Sequence, residues 1–562
     1  MHNSFRVWVR LYVSWALGGL LACAAGAQTA TNSKAQSIPT IKVRTQLVLI
    51  PAEVTDSKGS RVSDMKKDDF AVFENGKRQE IALFEHVVTK AEVTKPTLPR
   101  PGEFSNTVQQ GSGRITIFVV DLLNSRIEEQ KEARKQLIDF LSRSLDVEEP
   151  LCLIAVNARG AWLIHSFTTD PKDLVRALQA ERVEKTQMDQ PQKNPEEELY
   201  KTVEGWNSKD TRRAEGGLEA RLNILRMSVG FEDMEANDRI RLTLQALSEI
   251  GNAFIGIPGR KSLIWATAGL PFAVNNADAL EKDGALHGSD RPGLLPLYEQ
   301  TWRTLEEAKI AVYPLDVSEL LNPAFVSAGM GEPLPQHVLM DTHVGNLENF
   351  AAVTGGRFCS RSMDAKKCFE EAAADSSDYY LLGIYDKSGR EQPGWRTLSV
   401  RTPRPGITIH ARSGYYLGTT ALNSSTDTEL METALSSPLD YTGLALNVRL
   451  MGTTDSRERG KKEIRFEYAI PEGAIRLDGE NRNQLKLEFA AAARDSSGKL
   501  AGTFSKTVEG RLSALQVSQV EKKGILFTGT IQLPPGEYGL SFAVIDRVND
   551  NTGSVTAPVT VK

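Results

Sequence analysis

The hydrophobic and polar positions divide the chain into three regions with different periodicities. From 41 to 94, short β-branched runs separated by turns such as Glu74-Asn75-Gly76-Lys77 predict a small β domain. From 105 to 418, continuous apolar runs alternate with amphipathic helical patterns, which predicts an α/β domain with a doubly wound sheet. From 430 to 562, short strand patterns bounded by Gly, Pro, Asp and Asn predict a β-sandwich.

Six apolar runs are predicted as the strands of the central α/β domain. They are ITIFVVD (115–121), LCLIAVN (151–157), AWLIHSF (161–167), SLIWATAG (262–269), IAVYPLD (310–316) and YYLLGIY (379–385). The polar stretch at about 183–238 is predicted to be an insertion into this domain. The Pro-rich segment KPTLPRPGEF, near 95–104, is predicted to be a linker to the first β domain.

The first 27 residues have the pattern of a secretory signal peptide. Arg6 and Arg10 precede an apolar stretch, and Ala25-Gly26-Ala27 supplies small residues for cleavage. Residues 28–40 are predicted to be a polar tether. Cleavage after Ala27 and lipidation at Cys23 are alternative interpretations of the same segment. Either one predicts a secreted, periplasmic or outer-envelope protein. No later apolar run reaches the roughly 18 residues of a spanning helix, so no transmembrane span is expected.

Composition and charge narrow the classes of function. The 562 residues are 40% hydrophobic and 25% charged, which is typical of globular domains. The net charge of −5 comes without a basic stripe, so no nucleic-acid partner is expected. Export to an oxidising compartment and a short loop in GGRFCSRSMDAKKCFEEA predict a disulfide between Cys359 and Cys368. Cys152, in an apolar run, is predicted to be a buried, unreactive thiol.

Several ordered segments resemble one known family. The chain resembles the VWFA-related domain family described from acidobacteria, a divergent branch of the von Willebrand factor type A fold. The resemblance covers roughly residues 42–417. It rests on VTDSKGSRVSDMKKDDFAVFENGKRQEIALF, ITIFVVDLLNS, FTTDPKDLVRAL, IPGRKSLIWATAGLPF, IAVYPLD, AAVTGGRF with DYYLLGIY, and RPGITIHARSGYY.

The resemblance implies a cation site at the carboxyl ends of the central strands. Type A domains commonly bind a divalent cation there through Asp-x-Ser-x-Ser, a Thr and a further Asp, and a partner carboxylate completes the shell. Asp121 and Ser125 match the first motif, but Leu123 replaces its first serine and the third loop has no Asp. One interpretation is therefore weak Mg²⁺ binding by Asp121, Asn124 and Ser125. The alternative is that Asp121 caps the following helix or binds loop amides.

The same strand ends define the predicted ligand surface, which consists of Asp121, Asn124, Ser125, Thr267 and Gly269. Asp170 is interpreted as a helix N-cap and Asp316 as a loop-shaping residue. No cofactor is assigned with certainty, because the Mg²⁺ ligand set is incomplete.

No motif for an enzyme is recognised. His337, Asp341 and His343 lie in HVLMDTH, where a surface loop is favoured over a zinc site. The sequence predicts an exported, non-enzymatic binding or adhesion-type protein whose ligand is a protein or an extracellular polymer. Two alternatives stay open: a structural component of the envelope or matrix, and an unrecognised hydrolase.

Overall fold

A computed structural model gives the fold of most of the chain. It describes residues 47–89, 102–107, 114–143, 149–180, 237–270, 294–318, 346–360, 365–385, 394–417, 427–477 and 483–562. The signal peptide, the tether, Cys23, most of the predicted insertion and the HVLMDTH segment lie outside these residues. The mixed α/β character predicted from the sequence is found, and strands outnumber helices.

The strands of the described residues are numbered in chain order. They are β1 (Leu47–Asp56), β2 (Ala71–Glu74), β3 (Lys77–Gln79), β4 (Ile81–Val88), β5 (Glu103–Ser105), β6 (Ile115–Asp121), β7 (Leu151–Asn157), β8 (Gly160–Thr168), β9 (Lys261–Thr267), β10 (Ile310–Asp316), β11 (Asp378–Tyr385), β12 (Gly394–Arg401), β13 (Ile407–Ala411), β14 (Gly414–Leu417), β15 (Asn447–Asp455), β16 (Lys462–Ile470), β17 (Gln484–Asp495), β18 (Leu500–Arg511), β19 (Ile525–Leu533), β20 (Gly536–Asp546) and β21 (Asn551–Val561).

The α-helices are numbered in the same way. They are α1 (Ile127–Arg143), α2 (Pro171–Ala180), α3 (237–254), α4 (Leu294–Glu307), α5 (346–354), α6 (Ala365–Ser377), α7 (Asp427–Ser436) and α8 (Ala514–Lys523). No helix in the described part of the chain is both long enough and apolar enough to cross a membrane.

A five-stranded sheet forms the centre of the α/β region, in the order β10-β9-β6-β7-β8. The first four strands are parallel, and β8 returns antiparallel to β7 through a tight turn. Every residue of β6, β7, β9 and β10 is buried. Helices cover both faces: α1 and α6 share one core with the sheet, whereas α3, α4 and α5 share the other. Double coverage explains why these strands are continuous apolar runs instead of alternating ones.

The first β region is completed by strands that follow the central sheet in the sequence. Two facing four-stranded sheets, β13-β1-β11-β4 and β14-β12-β2-β3, enclose a single core. β11 separates β1 from β4 and pairs with both. The strand at 379–385 was predicted in the central sheet and is found here instead. β2 pairs with β3, but β1 and β4 are joined only through β11, so the boundaries predicted at 94 and 418 do not coincide with the sheets.

The C-terminal region consists of two facing antiparallel sheets, β19-β16-β15-β5 and β18-β17-β20-β21. Residues of both sheets share one core, in which the Phe466 and Phe542 rings lie 5.0 Å apart between centroids. β5 comes from the segment predicted as a linker and pairs with β15. The buried Asn106 side chain donates to the Tyr441 and Leu444 carbonyls at 2.6 and 2.8 Å. The segment at 102–107, which precedes the α/β region in the sequence, is therefore an integral part of the C-terminal β region.

The predicted disulfide is present between Cys359 and Cys368, whose Cα atoms are 5.8 Å apart. It connects the segment after α5 to α6, and both cysteines are buried against the central sheet. Cys152 is a buried free thiol in β7, as predicted. Burial raises the pKa of this thiol, which keeps it protonated and unreactive.

Candidate functional site

Asp121 ends β6 at the carboxyl edge of the central sheet, and its carboxylate is surrounded by hydrogen-bond donors. Oδ1 accepts from the backbone N–H groups of Leu123 and Asn124, at 3.0 and 2.9 Å. Oδ2 accepts from Asn124 Nδ2 at 3.0 Å, Trp265 Nε1 at 3.0 Å and Thr267 Oγ1 at 2.8 Å. One carboxylate thus joins its own loop to β9.

The charge of Asp121 is held in a nearly dry environment, since the residue is 1% exposed. Burial raises the pKa of Asp121, and the bonds from Asn124, Thr267 and Trp265 act in the opposite direction. A buried carboxylate is tolerated when its oxygens are fully hydrogen-bonded. The five donors are therefore the compensation that the fold provides for burying this acid.

Asn124 and Ser125 extend the same network. Asn124 Nδ2 also donates to Thr243 Oγ1 of α3 at 3.0 Å. Its Oδ1 is buried and has no partner among the described residues. Ser125 Oγ accepts from the backbone N–H of Ala268 at 3.1 Å. Gly269 N donates to Thr267 Oγ1 at 3.0 Å, which folds the chain back after β9. All five residues predicted at this edge are thus brought together.

Their exposure differs from the expectation of a ligand surface. Asp121, Asn124, Ser125 and Thr267 are buried, and only Gly269 is partly exposed. A ligand approaching this edge meets the residues above the network, of which Arg126 is exposed at the start of α1. The predicted residues therefore lie beneath the exposed surface of this edge and support it, and they do not form it.

The described residues do not fit a Mg²⁺ ion. Such an ion needs oxygen lone pairs directed at it, preferably from more than one carboxylate. Here five donors direct hydrogens at Asp121, and the Ser125 hydroxyl accepts a backbone N–H. No group of three or more His, Cys, Asp or Glu side chains suited to a metal occurs within the described ranges. The arrangement matches the alternative in which Asp121 binds loop amides.

Trp265 is the member of the network that the sequence analysis did not place at this edge. It is fully buried, and its indole N–H donates to Asp121. Residues two apart on a strand point to the same face, so Trp265 and Thr267 are placed together. That spacing in the run Ile264-Trp265-Ala266-Thr267 was the available signal.

The remaining acidic predictions agree with the structure. Asp170 Oδ1 accepts the Lys172 N–H at 2.9 Å and caps α2. Asp316 Oδ1 accepts the N–H and the hydroxyl of Ser318, at 2.9 and 2.7 Å, and shapes the turn after β10. Thr168 ends the antiparallel β8 opposite Leu151, so it lies at the other edge of the sheet from Asp121.

Comparisons with known proteins give no family assignment. No family model matches the chain, and no curated protein matches it. Solved structures give partial alignments only. A calcium-binding mutant of Bacteroides uniformis beta-glucuronidase 2 aligns with 14% sequence identity and a TM-score of 0.14. The alignment covers 21% of this chain and 13% of the glucuronidase chain. A family 2 glycosyl hydrolase of Bacteroides cellulosilyticus aligns with 8% identity and a TM-score of 0.15, and the alignment covers 33% of this chain and 20% of the hydrolase. Bacteroides uniformis beta-glucuronidase aligns with 10% identity and a TM-score of 0.14, and the alignment covers 33% of this chain and 19% of that enzyme. The chain spans a fifth or less of each, and scores this low carry no argument about function.

Proposed function

We propose that this chain is an exported, non-catalytic binding protein whose α/β region is a type A-like domain. The observation that carries the proposal is the contact between Asp121 Oδ2 and Thr267 Oγ1, at 2.8 Å. These residues end β6 and β9, which are neighbours in the sheet. After β6 the chain adds β7 and β8 on one side, and it then returns to add β9 and β10 on the other side. Doubly wound sheets bind their ligands outside the carboxyl ends of the strands at this position.

The binding proposed here does not use a bound cation. Protein donors from β9 occupy the Asp121 oxygens that a metal would otherwise engage. The network instead fixes the loop that leads to Arg126 and α1, because a satisfied buried network holds a single arrangement. A ligand then meets a preformed surface, which lowers the ordering cost of binding.

The ligand proposed is a protein or an extracellular polymer, and the place of binding is the periplasm, the outer envelope or the surroundings of the cell. The signal-like first 27 residues support the location. The exposed residues at the carboxyl edge lie on loops supported by a rigid sheet, which is the usual position for binding residues.

The test is site-specific photo-crosslinking in the native envelope with the full chain. A photoreactive residue replaces Arg126, at the carboxyl edge, or Lys172, which is exposed at the amino edge beside the end of β8. We expect a discrete, reproducible adduct from position 126 and none from position 172. Equal labelling from both positions, or none from either, would overturn the assignment of the binding edge.

A further inference from the structure

The solvent side of one N-terminal sheet carries a row of three side chains that crosses three strands. Val72 of β2 and Leu398 of β12 point into the shared core, so the alternate residues of these strands point outward. Phe73 is one of these outward residues, and it lies opposite Arg78 of β3. The guanidinium group of Arg401, at the end of β12, lies over the Phe73 ring at 4.9 Å from its centroid. Arg401, Phe73 and Arg78 are called the basic–aromatic row below.

The two guanidinium groups of the basic–aromatic row have no anionic partner. Arg78 and Arg401 are exposed, and neither forms an ion pair with any residue that the structure describes. Lys77, next to Arg78, is likewise exposed and forms no ion pair within the described ranges. Glu80 adds one exposed carboxylate two positions after Arg78, so these four side chains keep a net positive charge. The whole chain carries −5, and this face therefore has the opposite sign to the rest of the protein.

The contact with Phe73 prepares Arg401 for a ligand. A guanidinium group over an aromatic ring is held by a cation–π attraction. The ring has no oxygen or nitrogen acceptor, so the N–H donors of Arg401 remain available. Because the stacked side chain is already restricted, it loses less conformational entropy when a ligand binds. Arg401 thus offers a preorganised planar fork, which matches the two oxygens of a carboxylate.

The position of Arg78 extends the recognition beyond a single anion. β2 lies between β12 and β3 in this sheet, so the strands that carry Arg401 and Arg78 are two strand spacings apart, about 10 Å. One small anion does not fill both forks at that separation. A chain molecule with carboxylates at regular intervals can engage both, and each engagement raises the effective concentration of the next.

We propose that the basic–aromatic row binds an acidic polysaccharide whose repeating sugars carry carboxylates. An acidic protein fits this face less well, because the centre of a protein–protein interface is apolar and aromatic. Phe73 is the one large apolar side chain at the outward positions of β2, β3 and 397–401. This surface belongs to a different sheet from the carboxyl edge of the α/β region, and it does not depend on the function proposed for that edge.

The test is affinity electrophoresis of the full chain in native gels that contain sodium polygalacturonate, with dextran as the neutral polymer. Mobility is measured relative to a gel without polymer. We expect polygalacturonate to retard the wild type and dextran not to. Arg78→Gln/Arg401→Gln should raise the apparent Kd about tenfold or more, because it removes two charge-assisted contacts.

Arg465→Gln/Arg511→Gln is the matched control. It removes the same charge from two exposed arginines on strands of the C-terminal region, so its apparent Kd should equal that of the wild type. Phe73→Leu keeps both arginines but deletes the ring, and we expect its apparent Kd to rise about threefold through the lost stacking.

Poly-glutamate added to the sample separates a polysaccharide from an acidic protein as the ligand. We expect it to release the chain from polygalacturonate only at about tenfold or higher carboxylate concentration than free polygalacturonate requires. Four results would overturn the proposal: no retardation of the wild type, equal retardation by dextran, the same rise in Kd for both double variants, or equal release by poly-glutamate and polygalacturonate.

Discussion

The indole N–H of Trp265 donates to the carboxylate of Asp121 across 3.0 Å, between two neighbouring strands of a doubly covered sheet. The bond connects the strand ends at which the order of the sheet reverses. It also gives an aromatic core residue a polar role, as is usual for buried tryptophan, whose N–H seeks a partner. The Asp121 carboxylate is therefore stabilised by hydrogen bonds from the protein's own groups.

Removing one donor from Asp121 should destabilise the fold measurably. Thr267→Val keeps the side-chain shape but deletes the hydroxyl that lies 2.8 Å from Oδ2. We expect a loss of about 2 kcal/mol in the free energy of unfolding, because hydrogen bonds to a buried charge are stronger than neutral ones. Urea denaturation measures the change. Thr304→Val is the control, since within the described residues that buried hydroxyl bonds only to the Gln300 carbonyl of its own helix. Equal losses in both variants would contradict a special role for Thr267.

Divalent cations should leave the stability of the protein unchanged. The Asp121 oxygens already accept five protein donors, so Mg²⁺ would have to displace them. We expect the same Tm, within experimental error, in millimolar Mg²⁺ and in excess chelator. A saturable rise with Mg²⁺ that disappears in Asp121→Asn would show that this edge binds a cation after all.

The α/β region and the C-terminal sheets meet so closely that one glycine is required. A Cβ added at Gly256 would lie 1.7 Å from the Thr442 carbonyl oxygen, while the Gly256 N–H donates to Thr442 Oγ1 at 2.9 Å. We expect Gly256→Ala to destabilise the protein by about 2 kcal/mol or more, because the two regions must separate to admit the methyl group. Limited proteolysis and thermal unfolding report the change. Gly539→Ala, where the added Cβ meets nothing within 4 Å, should behave like the wild type.

Acid should weaken the contact between the N-terminal sheets and the α/β region through His410. Its pKa is lowered from 6.5 to about 4 by burial first and then by Arg357. The neutral ring is thus favoured in the folded state, and its stabilising effect is complete above pH 6.5 and lost as the pH falls towards 4. The loss is about 3 kcal/mol. His410→Gln retains a donor for the Gly356 carbonyl, so its Tm should fall less between pH 7 and 4. Parallel pH curves for both proteins would exclude His410 as the cause.

Reducing the disulfide should lower stability without unfolding the protein at neutral pH. Cys359 and Cys368 are separated by nine positions, and closing such a loop contributes about 2–3 kcal/mol. Cys359→Ser and wild type with reductant should therefore show the same lowered midpoint in guanidinium. Mass mapping without reductant gives the independent check: free thiols at both positions would rule out the bond.

The central sheet was predictable because its strands are covered on both faces. β6, β7, β9 and β10 are continuous apolar runs, and the predicted residues 115–121, 151–157 and 310–316 match the observed bounds. The caps at Asp170 and the turn at Asp316 followed from local hydrogen-bonding rules. Such features depend on residues close together in the chain, which a sequence displays directly.

Pairing between distant strands was not predictable in the same way. An apolar run such as 379–385 suits a central strand or a sandwich strand equally well, and nothing local indicates that it pairs with Leu47 through Ala52. The partners of Asp121 show the same limit. Its loop amides follow from chain proximity, whereas the bond from Trp265 requires β6 and β9 to be neighbours in space.

The path of the chain also determines the order in which its parts are completed during synthesis. β1 pairs with β11 and β13, so the first sheet stays open until the chain beyond Ala411 has emerged. At about 10 residues per second this delay is roughly half a minute, during which the apolar face of β1 has no partner. An exposed strand edge is an aggregation hazard, so pairing with β11 and β13 also protects β1 in the finished fold.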